Sequence, residues 1–471
     1  MTRHLTPDLC IIGAGAGGLA VAAGAAQLGA AVVLVERGAM GGDCLNYGCV
    51  PSKSLLAAAR LADLWRHAPQ FGLAYAPPQI DFAAVADGVA QVIARLAPND
   101  SAERFEGLGV TVLHAEARFT SRRTVHAGEF EIRPRRFVIA AGSHPAIPPI
   151  RGLDRVPYLT NETLFANREL PDHLIVIGGG PIGVEMAQGH RRLGARVSVL
   201  DLGPLLPRDD PELAALLAER LAGEGIALRP QVRIERVEPD GAGMVVVLEG
   251  GERVAGSHLL VAAGRRSSID TLDLAAAGIA AGPQGITVDA RLRTCNRRAF
   301  AIGDVAGGPQ FTHIALYHAG IVIKNALFRL PARIDYRALP WVTFTDPELA
   351  QVGLTEAMAR AAGQAVQVLR WPFSENDRAQ TERDTEGLVK IVARRDGRIL
   401  GASILGAAAG DLILSWALAI SQKLKIGALA NLVVPYPTRG EAGKRAAGSF
   451  YTPTLFSPRA RRIVRFLARL G

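Results

Sequence analysis

Leu9-Cys10-Ile11-Ile12-Gly13-Ala14-Gly15-Ala16-Gly17-Gly18 reads as a short buried strand running into a glycine-rich turn. An Ala-rich helix is predicted to follow to about Leu28, then a second strand, Ala31 to Val35, that ends at Glu36. Gly13, Gly15 and Gly18 allow, in turn, a tight turn, close approach of a pyrophosphate, and packing of helix on strand. Glu36 falls 23 residues after Gly13, where a carboxylate can accept hydrogen bonds from a ribose hydroxyl. A glycine triplet alone is weak evidence. Strand, helix, second strand and acid in one register make it a dinucleotide site.

The pattern recurs. Leu174 to Ile177 is a strand, Gly178-Gly179-Gly180-Pro181-Ile182-Gly183 the turn, and Val184 to Leu193 the helix. Gly178, Gly180 and Gly183 take the three glycine places, and Arg196 to Leu200 ends at Asp201, again 23 residues after the first glycine. Each copy later reaches a short strand ending in Ala-Ala-Gly, at Gly142 and at Gly264. Turn-rich short strands precede each of these, such as Val232 to Val237 and Met244 to Leu248. The span from Gly13 to Gly142 exceeds that from Gly178 to Gly264 by 43 residues. An acid at Asp201 favours the free ribose of NAD over the 2′-phosphate of NADP, with Arg208 nearby keeping NADP(H) as the other candidate.

The extra material of the first copy holds Gly41-Gly42-Asp43-Cys44-Leu45-Asn46-Tyr47-Gly48-Cys49-Val50-Pro51-Ser52-Lys53. Pro51, Ser52 and Lys53 make Cys49 read as the start of a helix. A thiol there, beside a lysine, is stabilised as thiolate by positive charge on both sides. A structural disulfide is the competing reading, and cytosolic disulfides are rare unless catalytic. Metal binding is the weaker alternative, because only Cys10 and Cys295 remain, at no ligand-like spacing. Cys44 and Cys49 read as a redox-active pair.

A chain of 471 residues exceeds one core and predicts about three domains. No apolar run approaches the roughly 18 residues that span a membrane, and Met1 to Asp8 lacks a signal-peptide pattern. The expectation is a cytoplasmic enzyme, with a membrane-peripheral location as a variant of it. Net charge is +9, mostly from dispersed arginine, and no nucleic-acid module accompanies it.

With both fingerprints and the cysteine motif, the chain resembles the class I pyridine nucleotide–disulfide oxidoreductases, which include dihydrolipoamide dehydrogenase, glutathione reductase and mercuric reductase. The resemblance continues through Ala301-Ile302-Gly303-Asp304, Phe344-Thr345-Asp346-Pro347-Glu348 and Gly406-Ala407-Ala408-Ala409-Gly410-Asp411. It implies an α/β fold with two Rossmann-like domains, for FAD and NAD, and a C-terminal α+β dimerisation domain. The expected boundaries are 1–150 and 269–335 for a split FAD domain, 151–268 for the NAD domain and 336–471 for dimerisation. By resemblance, Asp304 binds the flavin side chain, Lys53 lies against the isoalloxazine and Glu185 sits near the nicotinamide. Electrons then pass from NAD(P)H through flavin to Cys49, and from Cys44 to a disulfide or other acceptor. A homodimer sharing its active sites between subunits is implied as well.

Departures from the family pattern bear on the substrate. Members that handle disulfides carry His-Pro-Thr with a following glutamate, the histidine serving as thiol acid/base from the partner subunit. Here the stretch is Tyr436-Pro437-Thr438-Arg439-Gly440-Glu441. Tyrosine stays protonated near neutral pH and is a poor base. Tyr436 resembles mercuric reductase, whose metal substrate needs no proton donor, yet Arg465 to Gly471 holds no vicinal cysteine pair of that family's kind. Asp43, usually Thr, and Tyr47, usually Val, alter the rim of the disulfide. Cys10 reads as a buried strand residue, Cys295 as a packed loop residue, and His313 as a neighbour of the flavin segment. Trp341, Trp371 and Trp416 read as interface or core aromatics.

Three function classes remain open: a flavoprotein disulfide reductase, a mercuric-reductase-like metal-ion reductase, and a slow-turnover redox sensor or membrane-recruited partner. The last draws on the tail, where Ala460, Ile463, Val464, Leu467 and Leu470 share one helical face and Arg459, Arg462 and Arg469 another. Either that helix packs on the dimerisation domain or it contacts an anionic membrane.

Overall fold

A computed structural model describes residues 2–470. The chain divides into two compact units. The first runs to Gly179 and adds Gly189–Leu202 and Gln231–Ile334; the second holds Gly180–Gln188, Gly203–Pro230 and the chain from Asp335 onward.

At the centre of the first unit is a five-stranded parallel sheet in the order Ala299–Ala301, Arg136–Ile139, Leu9–Ile12, Val32–Glu36, Val110–His114. Both faces are covered, so the inner strands are near-continuous apolar runs rather than alternating, while the edge strand Val110–His114 exposes Thr111 and His114. Leu9 and Ile11 join one core with Leu19, Val21 and Val322, while Cys10 and Ile12 join another with Phe119, Phe137 and Ile279. Helix Ala16–Gln27 follows the first strand directly. A second parallel set, Arg196–Leu200, His173–Ile177 and His258–Val261, repeats the arrangement. An antiparallel meander precedes the matching strand of each set: Ala117–Ile132 before Arg136–Ile139 in the first copy, Ile234–Gly256 before His258–Val261 in the second.

The second helix runs from Pro181 to Arg192, starting earlier than the sequence reading placed it, because proline is well suited to a first helical turn. The two Ala-Ala-Gly strands also end early, at Ile139 and Val261, so that both motifs form loops at the sheet's carboxyl edge. In α/β sheets that edge is where ligands bind.

The second unit is built on a five-stranded antiparallel sheet in the order Pro340–Thr343, Glu348–Gly353, Ile399–Gly406, Leu388–Arg394, Val366–Pro372. Helices Ala409–Ser421 and Gly440–Ser449 contribute Ile413, Trp416, Ala442 and Ala446 to its core. Trp416 is a core aromatic, fully buried.

Candidate active site

The two glycine turns are geometric copies. Gly13 has φ +104° and Gly178 φ +117°, in the range that disfavours side chains. A Cβ on Gly13 would lie 2.4 Å from the Ala140 carbonyl oxygen, and one on Gly178 2.3 Å from that of Ala262. The carbonyls that fix these turns therefore come from the Ala-Ala-Gly motifs, whose Gly142 and Gly264 also have positive φ. The terminal acids are matched too: Glu36 Oε2 accepts from Ala14 N–H at 2.6 Å, and Asp201 accepts from Gly179 N–H. A Cβ on Gly18 would meet the Gly13 carbonyl oxygen at 1.9 Å, so only glycine lets the first helix sit this close. Gly15 has nothing nearer than Gly42 Cα at 4.0 Å, leaving the turn open for a phosphate. This cradle, with Glu36 at its edge and the carboxylate of Asp304 nearby in the fold, fits FAD.

The dithiol is mounted on that cradle. Gly15 bridges Gly41, and a Cβ on Gly42 would come 2.7 Å from Gly15 Cα. Cys44 sits in a short helix, Gly42–Asn46, and Cys49 is the first residue of helix Cys49–Arg66, as the sequence predicts. Both thiols are free, Cys44 half-buried and Cys49 exposed. The two sulfurs are hydrogen-bonded, which pushes them in opposite directions. The Cys44 hydrogen bond, then the Thr312 hydroxyl and the Lys53 ammonium, lower Cys49 to about 6, against the loss of water around its sulfur from the neighbouring residues. Cys44 is raised, first by its bond to Cys49 and then by burial.

Thr312 was not legible as a functional residue. Its Oγ1 lies 3.3 Å from Cys49 Sγ, and it opens helix Thr312–Ala326. Two helix N-termini thus face one sulfur, which favours the thiolate further. His313, one residue on, is exposed and stacks on Phe311 with ring centroids 5.2 Å apart.

A polar network joins the dithiol to Asp304. Asp43 accepts from Asn161 Nδ2 at 2.9 Å and pairs with Arg265 at 3.1 Å. Asn161 also reaches the Tyr47 carbonyl, holding both ends of the cysteine loop. Arg265 donates to Ser143 Oγ at 2.7 Å, and Ser143 donates to Asp304. Burial raises the Asp304 carboxyl, with Ser143 and Arg265 opposing it. The buried His318 accepts from Gly303 N–H through Nδ1, and burial lowers it to about 4.

The other predicted site residues lie in the second unit. Glu185 is buried and accepts from Phe344 N–H at 2.8 Å. Tyr436 is 69% exposed and donates its hydroxyl to Asp377 at 2.9 Å, which raises its pKa above the usual tyrosine value. Glu441 pairs with Arg445 at 2.9 Å rather than with Tyr436. Cys10 is fully buried, which pushes its thiol up to about 12, and Cys295 bonds the backbone at Gly278 and Ala280.

Residues 7–319 match the pyridine nucleotide-disulphide oxidoreductases, and 339–447 match the dimerisation domain of that family. The chain belongs to this family. It is a flavoprotein oxidoreductase that uses FAD and NAD(P)H and carries the family's dimerisation domain. Among its relatives are a mercuric reductase of Streptomyces lividans, 40% identical over 96% of this chain and 97% of the relative. A dihydrolipoyl dehydrogenase of Bacillus subtilis is 35% identical over 93% and 95%. In solved structures, the HOCl-induced flavoprotein disulfide reductase RclA of Escherichia coli superposes with a TM-score of 0.85, at 28% identity over 94% of this chain and 99% of its own. LpdA of Mycobacterium tuberculosis gives 0.86, at 28% over the same shares. Among the described residues, no helix is long and apolar enough to cross a membrane.

Proposed function

We propose that Cys44 and Cys49 are the electron relay of this reductase, Cys49 on the flavin side and Cys44 toward the acceptor. What carries this reading is the asymmetry of the pair, one thiol held as thiolate at two helix N-termini and the other raised beside it. When bound, FAD supplies two-electron chemistry between a nicotinamide and a disulfide. On a disulfide acceptor, Cys44 Sγ attacks one sulfur and forms a mixed disulfide, while its proton leaves with the other sulfur, which departs as thiol. The Cys49 thiolate then attacks Cys44 Sγ, closing the intramolecular disulfide and releasing the second acceptor sulfur as thiolate. Two electrons leave the dithiol for each acceptor disulfide reduced.

Proton handling favours a second acceptor class. The Tyr436 proton is held by Asp377, so no strong base stands where the family's histidine would. A thiophilic metal ion needs electrons but no proton, and the mercuric reductase relatives and a Cu(II) complex of RclA fit that class. Asp201 at its strand end supports NADH over NADPH. Tyr436 and Glu441 would act across a homodimer, at the partner's dithiol.

NADH and NADPH oxidation by the FAD-loaded enzyme, measured with lipoamide, glutathione disulfide and thiol-complexed Hg(II), tests the reading. Rapid turnover with one of these, lost in Cys44→Ser and in Cys49→Ser, is the expected result. Turnover unchanged in both variants would remove the relay role.

A further inference from the structure

The C-terminal helix does not pack on its own domain. It runs from Pro458 to Leu467, capped by Ser457, whose hydroxyl accepts from Ala460 N–H at 3.2 Å. Of its apolar face only Ala460 is partly buried; Ile463, Val464 and Leu467 are 50%, 64% and 56% exposed. Leu455 and Phe456, just before the helix, are 63% and 65% exposed as well. The packed-helix alternative is therefore not what the fold shows. An apolar stripe of this kind normally finds a cover.

Charge says which cover. Arg461, Arg462 and Arg465 line the opposite side of the helix and Arg469 continues the row. No acidic residue follows Glu441, while seven lysines and arginines do. A second copy is a poor cover, since its tail brings the same arginines and no carboxylate to offset them, on a chain that itself carries +9. We propose that this helix docks the enzyme on an anionic phospholipid surface, its apolar face in the headgroup–acyl boundary and its arginines among the lipid phosphates. A helix with this division of faces lies in the interface plane rather than across it. Lipid phosphate supplies the missing anions, and the apolar face supplies the part of binding that salt does not screen.

Sedimentation of the full-length, FAD-loaded protein with vesicles tests this. Vesicles of phosphatidylcholine alone are compared with vesicles containing phosphatidylglycerol, at low and high salt. Binding is expected only with phosphatidylglycerol, falling at least about ten-fold between roughly 0.05 and 0.5 M salt. Ile463→Glu/Leu467→Glu should weaken binding by about ten-fold or more while keeping flavin content and dimeric mass. Four results would overturn the proposal. One is failure of the wild-type protein to bind phosphatidylglycerol vesicles at low salt, and another is equal binding to neutral vesicles. The third is a double variant that binds as well as wild type, which would place the contact elsewhere. The fourth is a double variant that turns monomeric, which would make a second copy the true cover.

Discussion

Replacing Thr312 by valine removes one hydroxyl and nearly nothing else, and it probes how the dithiol is poised. That hydroxyl lies 3.3 Å from Cys49 Sγ and, facing a thiolate, must be the donor. A hydrogen bond to a charged group is worth about 1.5–3 kcal/mol, and about 1.4 kcal/mol corresponds to one pKa unit. Cys49, lowered to about 6 in the wild-type protein, should therefore rise in Thr312→Val. The expected rise is about one to two units. At pH 7 the thiolate fraction would fall from about nine-tenths to between roughly one-half and one-tenth. The assay is the pH dependence of iodoacetamide alkylation in the reduced protein, with Cys44 and Cys49 resolved by peptide mapping. Thr312→Ser keeps the hydroxyl and should stay near wild type. A valine variant whose Cys49 midpoint matches wild type would show that Cys44 and Lys53 alone hold the thiolate. A serine variant shifted as far as valine would make the effect one of packing.

Other outcomes follow from the same geometry. With flavin bound, two-electron reduction should produce long-wavelength absorbance from a thiolate against the ring; Cys49→Ser should abolish it, and Cys44→Ser should show it before any reductant is added. Tyr436→His should raise lipoamide or glutathione disulfide turnover at least about ten-fold, a barrier change of about 1.4 kcal/mol; an unchanged rate with intact flavin would shift the limit to Asp43 or Tyr47. His318 is neutral in the fold and lowered to about 4, so the unfolded chain binds the extra proton first. Stability should thus be complete above about pH 6.5, decline as pH falls toward 4 and level off below. His318→Gln, which keeps an acceptor for Gly303 N–H, should flatten the acid side of the flavin-release profile; an unaltered profile would sink this assignment. Gly18→Ala should cost flavin retention, because its Cβ would sit 1.9 Å from the Gly13 carbonyl oxygen; a fully loaded variant would contradict that packing.

The backbone rules that glycine, proline and strand-end acids obey are local, so their consequences were legible in the chain itself. The duplicated fingerprint, the acid 23 residues on, the redox pair and the helix starting at Cys49 all rest on spacings of that kind. Even the Ala-Ala-Gly motifs were visible, although their task of supplying the carbonyls against Gly13 and Gly178 was not. What escaped the sequence joins residues far apart in it. Thr312 lies 263 residues from Cys49, and the path from Asp43 through Arg265 and Ser143 to Asp304 jumps along the sequence at every step, by 161 residues at the last. Arg265 stands next to Gly264 and Thr312 next to His313, so both bordered on recognised positions without any local sign of their role. The bonding of Tyr436 to Asp377, and of Glu441 to Arg445, likewise depends on which side chains the fold brings into reach. For the tail, periodicity announced two faces but not whether the apolar one was covered. Burial is a property of the packed chain, and only the tertiary structure decided that this face stays exposed.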